Sequence, residues 1–183
     1  SRSAADTVGA ARWAEEHGLE GVFSIQFNSS PWVPLGAAAG PTTKLRLATG
    51  IALGFTRSPL ETALSAMDVD HLSDGRFTLG LGAAPKYWTE RYFGTAYEPP
   101  IGRMGEVIDV VRHVDSAVRD ARPLGPYAGR SYDLDFVGLE PTFAPRSAAL
   151  PIWVARVPMA FRATSVAMAS VPFRPMRSSM RRT

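Results

Sequence analysis

The chain has 183 residues, of which 45% are hydrophobic and 20% charged, and this composition is typical of a globular protein of one or two domains. No apolar run approaches the roughly 20 residues that span a bilayer, and cysteine is absent, which argues against a transmembrane helix, a disulfide framework and thiolate chemistry. We therefore expect a cytoplasmic protein with no membrane partner.

The net charge of +3 is unevenly distributed along the chain. Six of the 20 basic residues are arginines that follow residue 155, in a segment without acidic residues, so residues 1–155 carry 14 basic and 17 acidic side chains. A basic segment can bind nucleic acid or an anionic membrane surface. Because no nucleic-acid-binding motif accompanies it, we predict instead that 156–183 is an aberrant, disordered tail and that nucleic acid is not a partner.

The first part of the chain alternates helical and strand patterns. A helix is predicted over 4–17, where a glycine follows as the usual helix terminator. An apolar strand over 21–27 comes next, and then a short alanine-rich helix with Ser30 as its cap and Pro31 at its first position. The segment LRLATGIALG at 45–54 is the following strand.

The same alternation continues along the chain. The tetrapeptide SPLE at 58–61 is a capping box with proline at the first helical position, and a DGRF turn leads into the strand RFTLGLG at 76–82. A further helix opens with two prolines and places Ile101 on its apolar stripe. SYDLDFV predicts a hairpin-type insertion near 129–146, and LPIWVA at 150–155 is the last predicted strand.

Apolar strands that alternate with amphipathic helices indicate an α/β fold with a parallel sheet covered by helices. Either a (β/α)8 barrel or an open doubly wound sheet has this order of elements. A complete barrel typically takes about 250 residues, and no strand precedes the first predicted helix. The barrel alternative therefore makes residues 1–155 a partial (β/α)8 barrel that lacks the first strand and the last strands.

Small or polar residues stand at the C-terminal ends of three predicted strands, namely Gln26, then Thr49 and Gly50, then Gly80 and Gly82. In parallel α/β folds this edge of the sheet holds ligands, and glycine lets a flat ligand approach the backbone. The two glycines of the third strand do not form a dinucleotide-binding fingerprint, because its third glycine is missing. Small or polar residues nevertheless recur at successive strand ends, and this recurrence predicts a cofactor site.

The sequence offers few catalytic groups of its own. His17, His71 and His113 fall near helix ends or on helix faces, so we assign them solvated or capping roles and predict no metal site. Arg103 is predicted as an exposed helix residue, with a contact to a phosphate or a carboxylate as the alternative. Since no nucleophile or acid–base motif is present, a bound cofactor would have to supply the reactive group.

Residues 45–83 combine a strand end, a proline-led helix, a DGRF turn and a glycine-rich strand. Their sequence is LRLATGIALGFTRSPLETALSAMDVDHLSDGRFTLGLGA. This combination resembles the bacterial luciferase-like monooxygenase superfamily, and within it the actinobacterial branch of deazaflavin (F-420)-dependent oxidoreductases. The resemblance extends over about residues 4–155. It implies a (β/α)8 barrel that binds its coenzyme at the C-terminal face.

The resemblance also implies roles for individual residues. Members of the superfamily have a non-proline cis peptide bond behind the coenzyme ring, and this bond maps onto Gly50–Ile51. Thr49 would lie near the ring, and Gly82 and Ala83 would lie along the coenzyme.

Gln26 occupies the catalytic position at which sugar-phosphate-oxidising relatives carry a histidine, so we do not expect a sugar phosphate as substrate. The implied activity is hydride transfer between F-420 and an unknown small organic substrate, in a protein that forms a homo-oligomer. Two alternatives stay open: an FMN-dependent monooxygenase of the same superfamily, or an inactive barrel fragment. The sequence also departs from the family after Ala155, where Arg156 stands in place of a glycine.

Overall fold

The computed structural model describes residues 4–27 and 29–155, so the predicted tail at 156–183 lies outside the described residues. Its elements are, in chain order, α1 (Ala4–Glu16), β1 (Gly21–Ser24), α2 (Trp32–Ala39), β2 (Arg46–Thr49), β3 (Ala52–Leu53), α3 (Pro59–Leu72), β4 (Phe77–Gly82), α4 (Lys86–Arg91), α5 (Pro100–Arg119), β5 (Tyr127–Ala128), β6 (Asp133–Leu134) and β7 (Ile152–Val154). None of the helices in this part of the chain is both long and apolar enough to cross a membrane.

Parallel strands form the main sheet. β1 pairs with β2, β2 and β3 pair in turn with one edge of β4, and β7 pairs with the other edge of β4. Leu81 shows both edges directly, because it is in register with Ala52 on one side and Val154 on the other. β2 and β3 therefore act as one interrupted strand, and the sheet order is β1, β2–β3, β4, β7.

A single layer of helices covers one face of this sheet. α2 connects β1 to β2, α3 connects β3 to β4, and α5 lies between β4 and β7, and neighbouring helices of this series are in contact. Strands that follow one another in space as they do in sequence are typical of a (β/α)8 barrel, whereas the strand order of a doubly wound sheet reverses. The structure thus confirms the α/β class and the partial barrel.

The hydrophobic core lies between the helices and the sheet. Alternate residues of the strands point into this layer, as the two-residue period of a strand requires. Among the core residues least exposed to solvent are Leu47, Phe77, Leu79 and Leu81 of the sheet, Val107, Val110, Val111 and Val114 of α5, and Ala63, Ala66 and Met67 of α3. The inner face of the sheet is open in the described part of the chain, where Phe23 is 66% and Trp153 is 64% exposed.

One sequence prediction at a helix start is confirmed and two need correction. α3 begins as predicted, with the Ser58 hydroxyl accepting a hydrogen bond from the Glu61 amide at 3.0 Å. α2, in contrast, begins at Trp32, because Pro31 occupies the cap position and Ser30 makes no capping hydrogen bond. Ile101 was predicted on the buried stripe of α5, but it is 89% exposed at the first turn of the helix.

The hairpin lies slightly earlier than the predicted 129–146. β5 pairs antiparallel with β6, so the hairpin spans 127–134, and the chain beyond it returns to the sheet without strand pairing until β7. The buried Asp70 carboxylate anchors this return, because its Oδ2 accepts hydrogen bonds from the amides of Arg146 and Ser147. The alternation in SYDLDFV indicates an extended strand, but it does not show where the partner strand lies.

Glu106 of α5 holds the hairpin loop against the helix layer. Its carboxylate accepts hydrogen bonds from the amides of Arg130, Ser131 and Tyr132 at 2.8–3.1 Å. Desolvation raises the pKa of Glu106, but these amide hydrogen bonds lower it by more, so its pKa lies below the ordinary value of 4.5. The ionised carboxylate is therefore the form that stabilises the hairpin.

Replacing Glu106 by Gln is expected to lower the free energy of unfolding by about 1 kcal/mol at neutral pH, because three amides lose a charged acceptor. A lowered folded pKa means that this contribution is present above 4.5 and is lost as the pH falls through the folded value. Urea unfolding of wild type and variant should therefore converge in acid. The exposed Glu140→Gln is the control and should match wild type, and a loss that is independent of pH would contradict this role.

Candidate functional site

The open face of the sheet carries two glycines between two exposed aromatic side chains. Gly80 of β4 is in register with Trp153 of β7, and the carbonyl of Thr49 approaches Gly80 so closely that a Cβ there would collide with it. A Cβ on Gly50 would lie 2.5 Å from the ring of Phe23. We call the row Phe23, Gly50, Gly80 and Trp153 the glycine strip. It crosses three strand spacings, about 14 Å. Gly80 within it is buried, because the Thr49 carbonyl fills the space that a side chain would take.

Ile51 continues this surface towards the C-terminal edge of the sheet. The peptide bond between Gly50 and Ile51 is cis, as the resemblance implies. A Cβ on Gly82 would collide with the Cδ1 atom of Ile51. Glycine at position 82 therefore lets the half-buried Ile51 side chain lie against β4, and this packing accounts for one of the glycines at the strand ends.

Thr49 holds the interrupted strand against β4. Its Oγ1 donates a hydrogen bond to the Gly80 carbonyl and accepts one from the Gly80 amide, both at 2.8 Å, and the residue is 1% exposed. The main-chain ladder between β2 and β4 ends at the pair Ala48–Thr78, so the hydroxyl satisfies backbone groups that the ladder leaves unpaired. The hydroxyl is engaged by the sheet, and the predicted place of Thr49 near a coenzyme ring stays a prediction.

Gln26 fastens the other side of the interruption. Its backbone N–H donates a hydrogen bond to the Ile51 carbonyl at 3.1 Å. In its side chain, Oε1 accepts from the Leu53 amide at 3.0 Å and Nε2 donates to Thr56 Oγ1 at 2.8 Å. A primary amide suits this place because it offers a donor and an acceptor together. The side chain is largely buried, so the structure shows a positioning function, and the predicted catalytic role stays a prediction.

The predicted site residues lie at one edge of the sheet. The Gly82 carbonyl accepts a hydrogen bond from the Gly54 amide at 3.0 Å, which ties the end of β4 to the segment after β3. Ala83 follows directly and is half-buried against the core. Gln26, Thr49, the Gly50–Ile51 bond and Gly82 are thus connected by direct contacts, although their role in binding a coenzyme is still a prediction.

A cavity of about 310 Å³ opens beside this edge, with walls from the loops that follow β1, β3 and β4. Its lining residues are Gln26, Phe27, Ser29, Ser30, Arg57 and Phe93. The sequence predicted only Gln26 as a site residue, because loop residues follow no hydrophobic period and the three loops are distant in sequence. The position of Arg57 could have indicated a site residue, since it directly precedes the Ser58 cap of α3, at the end of the loop that follows β3.

The histidines do not belong to this site. His17, His71 and His113 each place a ring nitrogen 2.8–3.0 Å from a backbone carbonyl oxygen near a helix end or on a helix face. The His17 contact fits the predicted capping role, whereas His71 and His113 instead join α3 and α5 to the carbonyls of Ala144 and Gly125. Across residues 4–27 and 29–155, no group of three or more His, Cys, Asp or Glu side chains is arranged to hold a metal ion.

Arg103 also lies outside the cavity lining. Its Nε donates to the Tyr132 hydroxyl at 2.9 Å, its Nη1 donates to the Ala96 carbonyl, and its guanidinium lies 4.8 Å from the centre of the Phe55 ring. These contacts join the hairpin to the loop before α5. The guanidinium therefore has a structural role here, in place of the alternative contact with a phosphate or carboxylate.

A parallel, sequentially ordered sheet is the arrangement of a (β/α)8 barrel. A family model described as luciferase-like monooxygenase matches residues 1–170. The chain belongs to the luciferase-like monooxygenase family.

A protein of Mycobacterium tuberculosis that is provisionally named a coenzyme F-420-dependent oxidoreductase is 32% identical over 149 residues, which cover 76% of this chain and 42% of that protein. Among solved structures, an F-420-dependent tetrahydromethanopterin reductase from Methanopyrus kandleri has a TM-score of 0.69 at 22% identity over 84% of this chain and 47% of the other. The oxygenating constituent of a Pseudomonas putida 3,6-diketocamphane monooxygenase, in complex with FMN, has a TM-score of 0.68 at 19% identity with the same coverage. The chain thus spans less than half the length of these relatives.

Replacing Thr49 by Val is expected to lower the free energy of unfolding by about 2 kcal/mol, because the buried amide and carbonyl of Gly80 both lose their partner. Thr49→Ser is the matched control, since it keeps the hydroxyl and removes only a methyl group. Urea unfolding followed by circular dichroism measures both. The assignment of Thr49 as the fastening of the interrupted strand would be wrong if Val were as stable as Ser.

Proposed function

We propose that the chain is the coenzyme-binding part of an oxidoreductase that transfers a hydride between the deazaflavin coenzyme F-420 and a small organic substrate. The glycine strip carries this proposal. It lies towards the ligand-binding edge of the sheet, its outer residues Phe23 and Trp153 are exposed, and its two glycines place no side chain between a planar ring and the backbone.

The residues that would hold the coenzyme are Thr49, Gly50, Ile51, Gly82 and Ala83. Ile51 would back the ring, because Gly82 leaves room for its side chain against β4. Phe23 and Trp153 would flank the ring at the two outer strands, where both are more than half exposed. When bound, F-420 supplies a two-electron hydride donor or acceptor, so the protein need not supply a nucleophile.

Gln26 would act at this site by holding its neighbours in place. Its backbone amide bonds to Ile51 and its side chain to Leu53, so it holds this segment, and it forms part of the cavity beside it. No carboxylate or imidazole is among the residues that line the cavity. The chemistry of the site would therefore depend on the orientation of the substrate and on the exclusion of water. Loops at a strand edge can provide both once a ligand is bound.

Only the sequence similarity to a relative named for F-420 supports this coenzyme over FMN; the structural similarities do not distinguish the two. The relative that is named for F-420 is 32% identical, whereas the structures that bind F-420 and FMN resemble this fold about equally, with TM-scores of 0.69 and 0.68. An FMN-dependent monooxygenase is therefore the second candidate. As part of the same proposal we place the protein in the cytoplasm, with a small-molecule substrate and as a homo-oligomer.

Fluorescence titration of the full chain with oxidised and reduced F-420, beside FMN, tests the proposal. We expect micromolar binding of F-420 and weaker binding of FMN. The reverse preference would establish the monooxygenase alternative, and no binding of either coenzyme would contradict both and favour an inactive barrel fragment.

Replacing Trp153 by Ala is expected to weaken F-420 binding at least fivefold, because the ring loses an aromatic neighbour worth about 1 kcal/mol or more. Trp13→Ala is the matched control, since Trp13 is also exposed, at 51%, but lies on α1. Equal affinity of the two variants would show that the coenzyme does not use the glycine strip.

A further inference from the structure

The cavity beside Gln26 has a polar wall that the proposed hydride transfer does not use. Arg57 lies at the end of the loop that follows β3, and Ser29 and Ser30 lie in the loop that follows β1. The Ser30 hydroxyl accepts a hydrogen bond from Arg57 Nη2 at 3.4 Å, so its own proton is available to a ligand. The wall therefore presents a guanidinium and hydroxyl groups, and no acidic side chain lines the cavity.

Arg57 has hydrogen-bonding capacity to spare. A guanidinium carries five N–H donors, and the structure gives it two side-chain acceptors, Glu61 at 2.5 Å from Nη1 and Ser30. Its Nε is buried and has no partner. The ion pair with Glu61 joins two side chains that are 27% and 53% exposed, and such a surface pair competes weakly with a further anion.

The cavity lining is also aromatic. Phe27 and Phe93 belong to it and are 53% and 36% exposed. The ring of Phe27 lies 4.8 Å from that of Trp88, which in turn stacks on Tyr92 at 6.3 Å. An apolar or aryl group can therefore be covered by these rings while its charged end meets Arg57.

We propose that this cavity is a substrate subsite that selects small organic carboxylates, with the carboxylate at Arg57 and Ser30 and the hydrocarbon part between Phe27 and Phe93. A guanidinium binds a carboxylate through two parallel hydrogen bonds, which fixes the orientation as well as the charge. The identification of the ligand as a substrate rests on the proposed function, since Gln26 connects the cavity to Ile51 and the glycine strip.

The test compares benzoate with its uncharged analogue benzamide, by ligand-observed NMR titration of the full chain. We expect benzoate to bind at least tenfold more tightly than benzamide. Arg57→Gln should abolish that preference, and Arg57→Lys, which keeps the charge but not the fork, should retain part of it. Arg91→Gln is the matched control, because Arg91 is exposed at the end of α4 and does not line the cavity.

The outcomes separate this inference from the proposed function. Binding of F-420 without a preference for benzoate, or a preference that survives in Arg57→Gln, overturns the carboxylate subsite and leaves the coenzyme site intact. A preference that depends on Arg57, without any coenzyme binding, supports the subsite and contradicts hydride transfer. If inorganic phosphate displaces benzoate and binds more tightly, the site recognises a phosphate group and the substrate assignment is overturned.

Discussion

The interruption between β2 and β3 is joined to both of its neighbours, to β4 through the side chain of Thr49 and to the segment after β1 through Gln26, and the whole ligand-binding edge depends on these contacts. Thr49 bonds twice to the backbone of Gly80 on one side. On the other side, Gln26 reaches Ile51 and Leu53. Buried backbone groups that lose a ladder partner must find another, and here two polar side chains supply it. The strand can therefore leave its regular path at the sheet edge while the amides of Gly80 and Leu53 stay paired.

The same interruption explains why the edge is poor in side chains. Gly80 makes room for the Thr49 carbonyl and Gly82 for the Ile51 side chain, so each glycine has a packing reason within the protein. The result is an edge with exposed aromatic rings on both outer strands and no side chains at the glycines between them. Packing and binding are thus not competing explanations, because glycine permits both the close contacts within the protein and the approach of a ligand to the backbone.

The sequence predicted most of the scaffold, because its signals are local. The Ser58 cap and the apolar strand of β4 appear as expected, and the resemblance led to the cis bond at Gly50–Ile51. The cavity was not predictable in the same way, because Ser30 and Arg57 meet only when separate loops fold onto one edge. The signal at Ser30 was misread for the same reason, since a serine before a proline resembles a helix cap whatever lies near it in space.

Chemical-shift mapping of the isotopically labelled chain with F-420 tests whether the glycine strip is the coenzyme surface. We expect the amides of Gly50, Ile51, Gly80 and Gly82 and the indole of Trp153 to shift, while those of the helix layer do not. Shifts confined to the helix layer, or to the N-terminal edge of the sheet around Glu20 and Arg46, would contradict it.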